Sequence, residues 1–132
     1  MNRFITARVM LIFDGACGFC TWAAQWVQRL DRYGHVAIVP FQKPNAPEQV
    51  GLTREQCEKA AWAVESDGTR YRGAAAIYAA LAWALGCPWL LHIYRLPLIR
   101  PLGDVLYLCI AASRKWLPGV VPYCEQHPEE CQ

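Results

Sequence analysis

The sequence predicts an α/β domain: one short mixed sheet with helices packed on it and further helices at the C-terminal end. Three observations carry this. Val9 to Phe13 is an unbroken apolar run that stops at Asp14-Gly15, a strong turn signal, and gives way to a stretch of helical period. Val36 to Phe41 is a second short apolar run, and a helix between two strands makes them parallel. Ala60 to Glu65 and Thr69 to Arg72 flank Ser66-Asp67-Gly68, the pattern of an antiparallel hairpin.

The elements follow in order. Residues 1–7 form a lead-in to the first strand, whose uniform apolarity suits burial on both faces. Phe19, Trp22, Ala23, Trp26 and Leu30 then recur at helical spacing, an apolar stripe on the first helix. Asp31 to Gly34 ends that helix, with Gly34 as its C-cap. After the second strand, 42–51 carries Pro44 and Pro47 and reads as loop. Thr53 to Gln56 has the spacing of a capping box, which starts a short helix over 54–59. Gly73 opens an alanine-rich helix through Leu85, closed by Gly86 and Pro88, and helical segments follow over 89–96 and from Leu102 to Trp116. The tail from Pro118 to Gln132, with three prolines, is expected to be extended. The domain is therefore placed at 1–117 and the tail at 118–132.

Composition narrows the function classes. A chain of 132 residues, 55% hydrophobic, holds one domain with a genuine core, and disorder is excluded. A net charge of +2 without interleaved basic and aromatic residues gives no nucleic-acid signal. Seven cysteines is an odd number, scattered through a chain with enough apolar residues to fold without staples, so a secreted disulfide framework is not expected. No long apolar stretch precedes Asp14, so no cleaved leader is expected, and the reducing cytoplasm is the default compartment. Gly73 to Tyr94 holds no Asp, Glu, Lys or Arg and is long enough to span a bilayer. Gly86-Cys87-Pro88 divides it, however, so two helices joined by a turn are expected, with Trp89, Leu90 and Leu91 left to touch a membrane surface without crossing it.

Chemistry is expected at Cys17-Gly18-Phe19-Cys20, where the first strand hands over to its helix. Cysteines three apart on a first helical turn face one side and can meet as a disulfide. A helix N-terminus presents unpaired N–H groups and partial positive charge, which favour a thiolate. Cys17, nearer the helix start, is expected to attack, and Cys20, a turn deeper, to resolve the mixed disulfide. Asp14 completes the candidate catalytic set. Its charge opposes the thiolate if the carboxylate lies close, or its oxygens accept N–H bonds and cap the turn. The competing readings of a C-x-x-C are a zinc half-site and two inert buried thiols, and the strand–turn–helix context favours redox.

The order strand, C-x-x-C helix, strand, short helix, hairpin, helix is that of the thioredoxin-like fold, a three-layer sandwich, here with extra C-terminal helices. Thioredoxins place a cis-proline just before the first hairpin strand. Glu58-Lys59-Ala60-Ala61 stands there in this chain, and Pro40 is the nearest alternative.

At these residues the chain resembles the DCC family of thiol-disulfide oxidoreductase-like proteins. Asp14-Gly15-Ala16-Cys17-Gly18-Phe19-Cys20 matches the family signature D-G-x-C-x-x-C. Asp67-Gly68, Tyr71-Arg72-Gly73 and Ala76 are similar to its hairpin block, with Ala75 standing where the family has a polar residue. Arg100-Pro101-Leu102, Asp104, Tyr107, Ala111 and Arg114 resemble its C-terminal block, so the resemblance covers about residues 9–116. It implies a thioredoxin-like fold and protein-disulfide oxidoreductase activity, and it supplies no substrate.

The remaining candidates are weaker. Cys124-Glu125-Gln126-His127 and Cys131 include a C-x-x-H zinc half-site that, with Cys17 and Cys20, could complete a Cys3His set. That requires the tail to fold back across the domain. A solvated tail is simpler, with Cys124–Cys131 oxidation the lesser alternative. Cys57, Cys87 and Cys109 read as small buried hydrophobes, and His35 and His92 as structural. Arg100 and Arg114 are candidate cations beside the thiolate, and Asp104 and Tyr107, one turn apart, share a face. The expected activity is thiol-disulfide exchange without organic cofactor or metal. Its partners are a disulfide-containing protein or small-thiol substrate and an unidentified thiol electron donor. A zinc-binding or redox-silent interaction domain is the alternative.

Overall fold

The computed structural model describes residues 8–113 and 119–131. Four strands form one sheet: β1 (Val9–Phe13), β2 (Val36–Pro40), β3 (Trp62–Glu65) and β4 (Arg70–Arg72), in the order β2-β1-β3-β4. β1 runs parallel to β2 and antiparallel to β3, and β3 pairs with β4 as the hairpin. This mixed sheet with its helices is the thioredoxin-like α/β fold. β1 sits at the centre and is buried along almost its whole length. Its side chains alternate between two cores. Val9, Leu11 and Phe13 face helices α1 (Gly18–Leu30) and α4 (Ala74–Leu85), where Ala76, Ala79 and Ala80 let α4 approach closely. Ile12 faces the other way, with Phe41, Leu52, Cys57 and Val64, under α3 (Arg54–Lys59).

The local signals hold. The Thr53–Gln56 capping box is formed in both directions, and Gly86 closes α4 in the left-handed conformation at φ +68°. α4 has 12 residues and α5 (Trp89–Tyr94) six, so the apolar segment is divided as expected. Among the described residues no helix is long and apolar enough to cross a membrane. Trp89 is exposed, and Leu90 and Leu91 are half-buried.

Other expectations are corrected. The predicted loop over 42–51 contains a one-turn helix, α2 (Ala46–Gln49), started at Asn45, a left-handed residue with φ 66°. Asp31, not Gly34, caps α1, and its carboxylate accepts the His35 and Val36 amides to fix the turn into β2. The aromatic stripe of α1 points outward: Trp22 and Trp26 are 42% and 43% exposed, whereas Thr21, Ala24 and Val27 are buried against the sheet. Small side chains win the inner face because the sheet lies close. Phe19 and Trp22 stack on one another outside, and Trp26 meets Trp22 edge-on.

The largest correction concerns the tail. Residues 119–131 are not extended, although much of their surface stays exposed. They fold back onto α1, form α7 (Tyr123–Gln126) and a 3-10 turn (Pro128–Glu130), and close a Cys124–Cys131 disulfide with Cα atoms 5.6 Å apart. Helix α6 (Ile99–Ser113) has no buried residue, although Leu102, Val105, Leu106 and Leu108 are large and apolar. It is tied on through Tyr94 Oη, which donates to Asp104, and through Tyr107, whose hydroxyl accepts the Ala61 N–H at 2.9 Å. Asp104 and Tyr107 thus share one face, as their spacing predicts. Arg114, Lys115 and Trp116 lie outside the described residues, as does the predicted lead-in over 1–7.

Candidate active site at the turn between β1 and α1

The site is built at the C-terminal end of the central strand, where a parallel neighbour also ends. That edge of a sheet leaves a crevice for chemistry. Phe41 N–H donates to Phe13 O at 2.9 Å, so β1 and β2 stay together to the last residue before the turn. Asp14 then reverses the chain. Its Oδ1 accepts the Ala16 N–H at 3.0 Å, and its carbonyl accepts the Cys17 N–H at 3.2 Å. The carboxylate thus caps the turn, one of the two roles its position allowed.

Gln42 is a site residue that sequence reasoning missed. Its Nε2 donates to Asp14 Oδ1 at 2.8 Å and its Oε1 accepts the Gly15 N–H at 3.0 Å. One amide therefore clamps both residues of the Asp-Gly turn to the end of β2. The only available sign was its place just after a strand that runs beside β1.

Cys17 is itself the N-cap of α1, with extended backbone, and its Sγ accepts the Cys20 N–H at 3.2 Å. A sulfur in that position receives a helical N–H directly, a bond that strengthens when the sulfur carries negative charge. Its carbonyl accepts both the backbone N–H and the hydroxyl of Thr21, at 3.0 and 2.9 Å. Neither Cys17 nor Cys20 is in a disulfide, and both are half-buried. Cys20 lies against the α1–α4 core.

The tail lies on this turn. Cys124 N–H donates to Gly15 O at 2.9 Å, Val120 N–H to Gly18 O at 3.3 Å, and Tyr123 N–H to Thr21 Oγ1 at 3.0 Å. The Tyr123 ring meets Phe13 edge-on at 5.5 Å, and its hydroxyl donates to Glu130. Burial, with the Glu130 bond second, pushes the Tyr123 phenol up to about 12. Three glycines make this fit. A Cβ on Gly18 would stand 2.6 Å from Val120 O, one on Gly119 2.5 Å from the Gly18 and Phe19 backbone, and one on Gly15 2.7 Å from both Cys124 Sγ and Pro40.

Several sequence-predicted residues are placed elsewhere. Pro40 is fully buried beneath Gly15 and offers no docking edge, and no peptide bond among the described residues is cis. The N–H of Ala61, beside the hairpin strand, is taken by Tyr107. Arg100 acts on the Tyr94 phenol. Cys57 is buried as expected, but Cys87 is half-exposed and Cys109 exposed. His35 packs on Tyr33 and Trp83, a structural role. The Cys3His zinc set is not formed, because Cys124 is bonded to Cys131. Instead His127 lies near Glu129 and Glu130, an acidic surface group.

A C-x-x-C at the turn from the central strand of a thioredoxin-like sheet into a helix is an arrangement on which thiol-disulfide exchange can be built. The family model for the DCC1-like thiol-disulfide oxidoreductases matches residues 11–120, most of the chain, and the protein belongs to that family. No curated protein and no solved structure matches it.

Proposed function

We propose that the protein exchanges a dithiol for a disulfide through Cys17 and Cys20, acting on a disulfide-containing protein or small molecule and re-reduced by a thiol donor. The observation that carries this is the Cys20 N–H aimed at Cys17 Sγ at the start of α1. As thiolate, Cys17 attacks a client sulfur, forms the mixed disulfide and releases the client's other sulfur. Cys20, one turn deeper and against the core, then attacks Cys17 Sγ, which closes the C-x-x-C disulfide and frees the client dithiol. Asp14 and Gln42 are positioning residues that hold the turn at the height where Cys17 is half-exposed. The apolar surface of Phe19, Trp22 and Trp26 beside the turn suits an unfolded or apolar stretch of client chain.

Trapping tests the division of labour. Cys20→Ser is expected to accumulate a stable mixed disulfide between Cys17 and a small disulfide such as oxidised glutathione, read by peptide mass mapping. Cys17→Ser is expected to trap none at Cys20. The reverse pattern would assign the attack to Cys20, and no trapping in either variant would leave a fold without turnover.

A further inference from the structure

We propose that Cys124–Cys131 is a second redox pair, and that it exchanges electrons with Cys17 and Cys20 inside one chain. The proposal rests on Cys17 being the attacking thiolate. Two backbone bonds bracket that residue: Cys124 N–H to Gly15 O on one side and Val120 N–H to Gly18 O on the other. Between them the Cys124 sulfur fills the space a side chain at Gly15 would take. Gly15 and Cys17 are two residues apart, a span of at most about 7 Å. The disulfide thus sits against the turn that carries the nucleophile, and both of its cysteines are half-buried, not sealed. For the sulfurs to meet, the Cys17 side chain rotates away from the Cys20 N–H and the tail shifts toward it. Cys124 is the sulfur attacked, because it is the one pressed on the turn. Cys131, the sulfur bonded to it, is then the leaving group.

The exchange balances within the chain. Cys17 thiolate attacks Cys124 Sγ: a Cys17–Cys124 bond forms, the Cys124–Cys131 bond breaks, and Cys131 departs as a thiolate that takes a proton. Cys20 thiolate then attacks Cys17 Sγ, the Cys17–Cys124 bond breaks, and Cys124 departs and takes a second proton. The first pair is oxidised, the tail pair is reduced, and two electrons have moved. Run in reverse, the same steps let a thiol donor that reaches the exposed side of the tail reduce the C-x-x-C without docking at it.

The test uses the full chain as Cys20→Ser/Cys131→Ser, reduced and then exposed to 0.1 mM oxidised glutathione, with disulfides mapped by mass spectrometry. A tethered thiol acts at an effective concentration on the order of 1 mM. Cys17–Cys124 is therefore expected to exceed Cys17–glutathione by about tenfold. Cys17 carrying only glutathione, with Cys124 left as thiol, overturns the relay, makes the tail disulfide a staple, and leaves the proposed exchange function standing. A Cys17 that reacts with neither overturns both. A second measurement serves if that variant does not fold. In fully oxidised protein treated with about 0.1 mM dithiothreitol, Cys17→Ser is expected to slow reduction of Cys124–Cys131 by about tenfold. Equal rates in the two proteins overturn the relay.

Discussion

Cys17 stands at the end of β1, half-exposed, with a helical N–H directed at its sulfur. Cys57 stands on α3 beneath the opposite face of the same sheet, 4% exposed among Phe41, Leu52 and Val64. Burial, and after it the negative charge of Glu48, pushes its thiol up to about 11. The two residues carry the same functional group a few strands apart. What separates them is backbone. One caps the start of a helix and its own sulfur takes the Cys20 N–H; the other sits inside a helix that Thr53 and Gln56 cap with oxygen acceptors. On the proposed function, reactivity follows from position at a helix start rather than from the presence of a thiol.

The strongest way to break that comparison is to remove each sulfur in turn. Cys17→Ser is expected to reduce exchange with small disulfides to the uncatalysed background, whereas Cys57→Ala leaves its rate within about twofold and costs about 1 kcal/mol of stability. Native iodoacetamide labelling, read by mass spectrometry, is expected to modify Cys17 and to spare Cys57 until the protein is unfolded. Labelling of Cys57 first would reverse the assignment. Next in size is the tail's grip on the cysteine face. Gly119→Ala drives a Cβ into the backbone of Gly18 and Phe19, and is expected to cost about 1–3 kcal/mol in urea unfolding. Hydrogen exchange at the Val120 and Cys124 amides should accelerate with it, and unchanged protection there would show that the tail is held by other contacts.

A smaller effect sharpens the Cys57 side. A thiol raised in the folded state from its ordinary 9.0 to about 11 keeps its proton longer folded than unfolded. The stability that goes with neutral Cys57 is therefore fully present below pH 9.0 and is lost as the pH rises through about 11. Denaturation of the protein and of Cys57→Ala, compared across that window, should show the first falling relative to the second. Parallel curves would mean that the thiol is not desolvated. Smallest is Tyr107→Phe, which leaves the part-buried Ala61 N–H without its acceptor and is expected to cost about 1 kcal/mol. A loss near zero would place water at that N–H instead.

How much of this was legible follows the length of the interactions. The strand runs, the hairpin turn, the Thr53 capping box and the Gly86–Pro88 break are each set within a few residues, and each stood in the sequence. So did the C-x-x-C at a strand-to-helix turn. What could not be read is carried by pairs far apart in the chain. The Gln42 clamp spans 27 and 28 residues, the Tyr107 bond to Ala61 46, and the Tyr123 bond to Thr21 102. The inward face of α1 was misjudged for the same reason. Hydrophobic period marks a stripe, but it does not say that a close-packed sheet will take Thr21 and Ala24 and leave the tryptophans outside. Thr21 is tolerated there because its hydroxyl lies between the Cys17 carbonyl and the Tyr123 amide.

The contact of Gly18 with the tail also restricts which sequences this protein can explore. Of the two residues between the cysteines, position 18 is moulded by the backbone of Gly119 and Val120, so any side chain placed there must first dislodge a segment about a hundred residues away. Phe19 is half-buried, with its ring stacked on the exposed Trp22. Variation that adjusts the site while keeping its architecture is thereby channelled into a single position, and a substitution series at Phe19 should be tolerated where the same series at Gly18 is not.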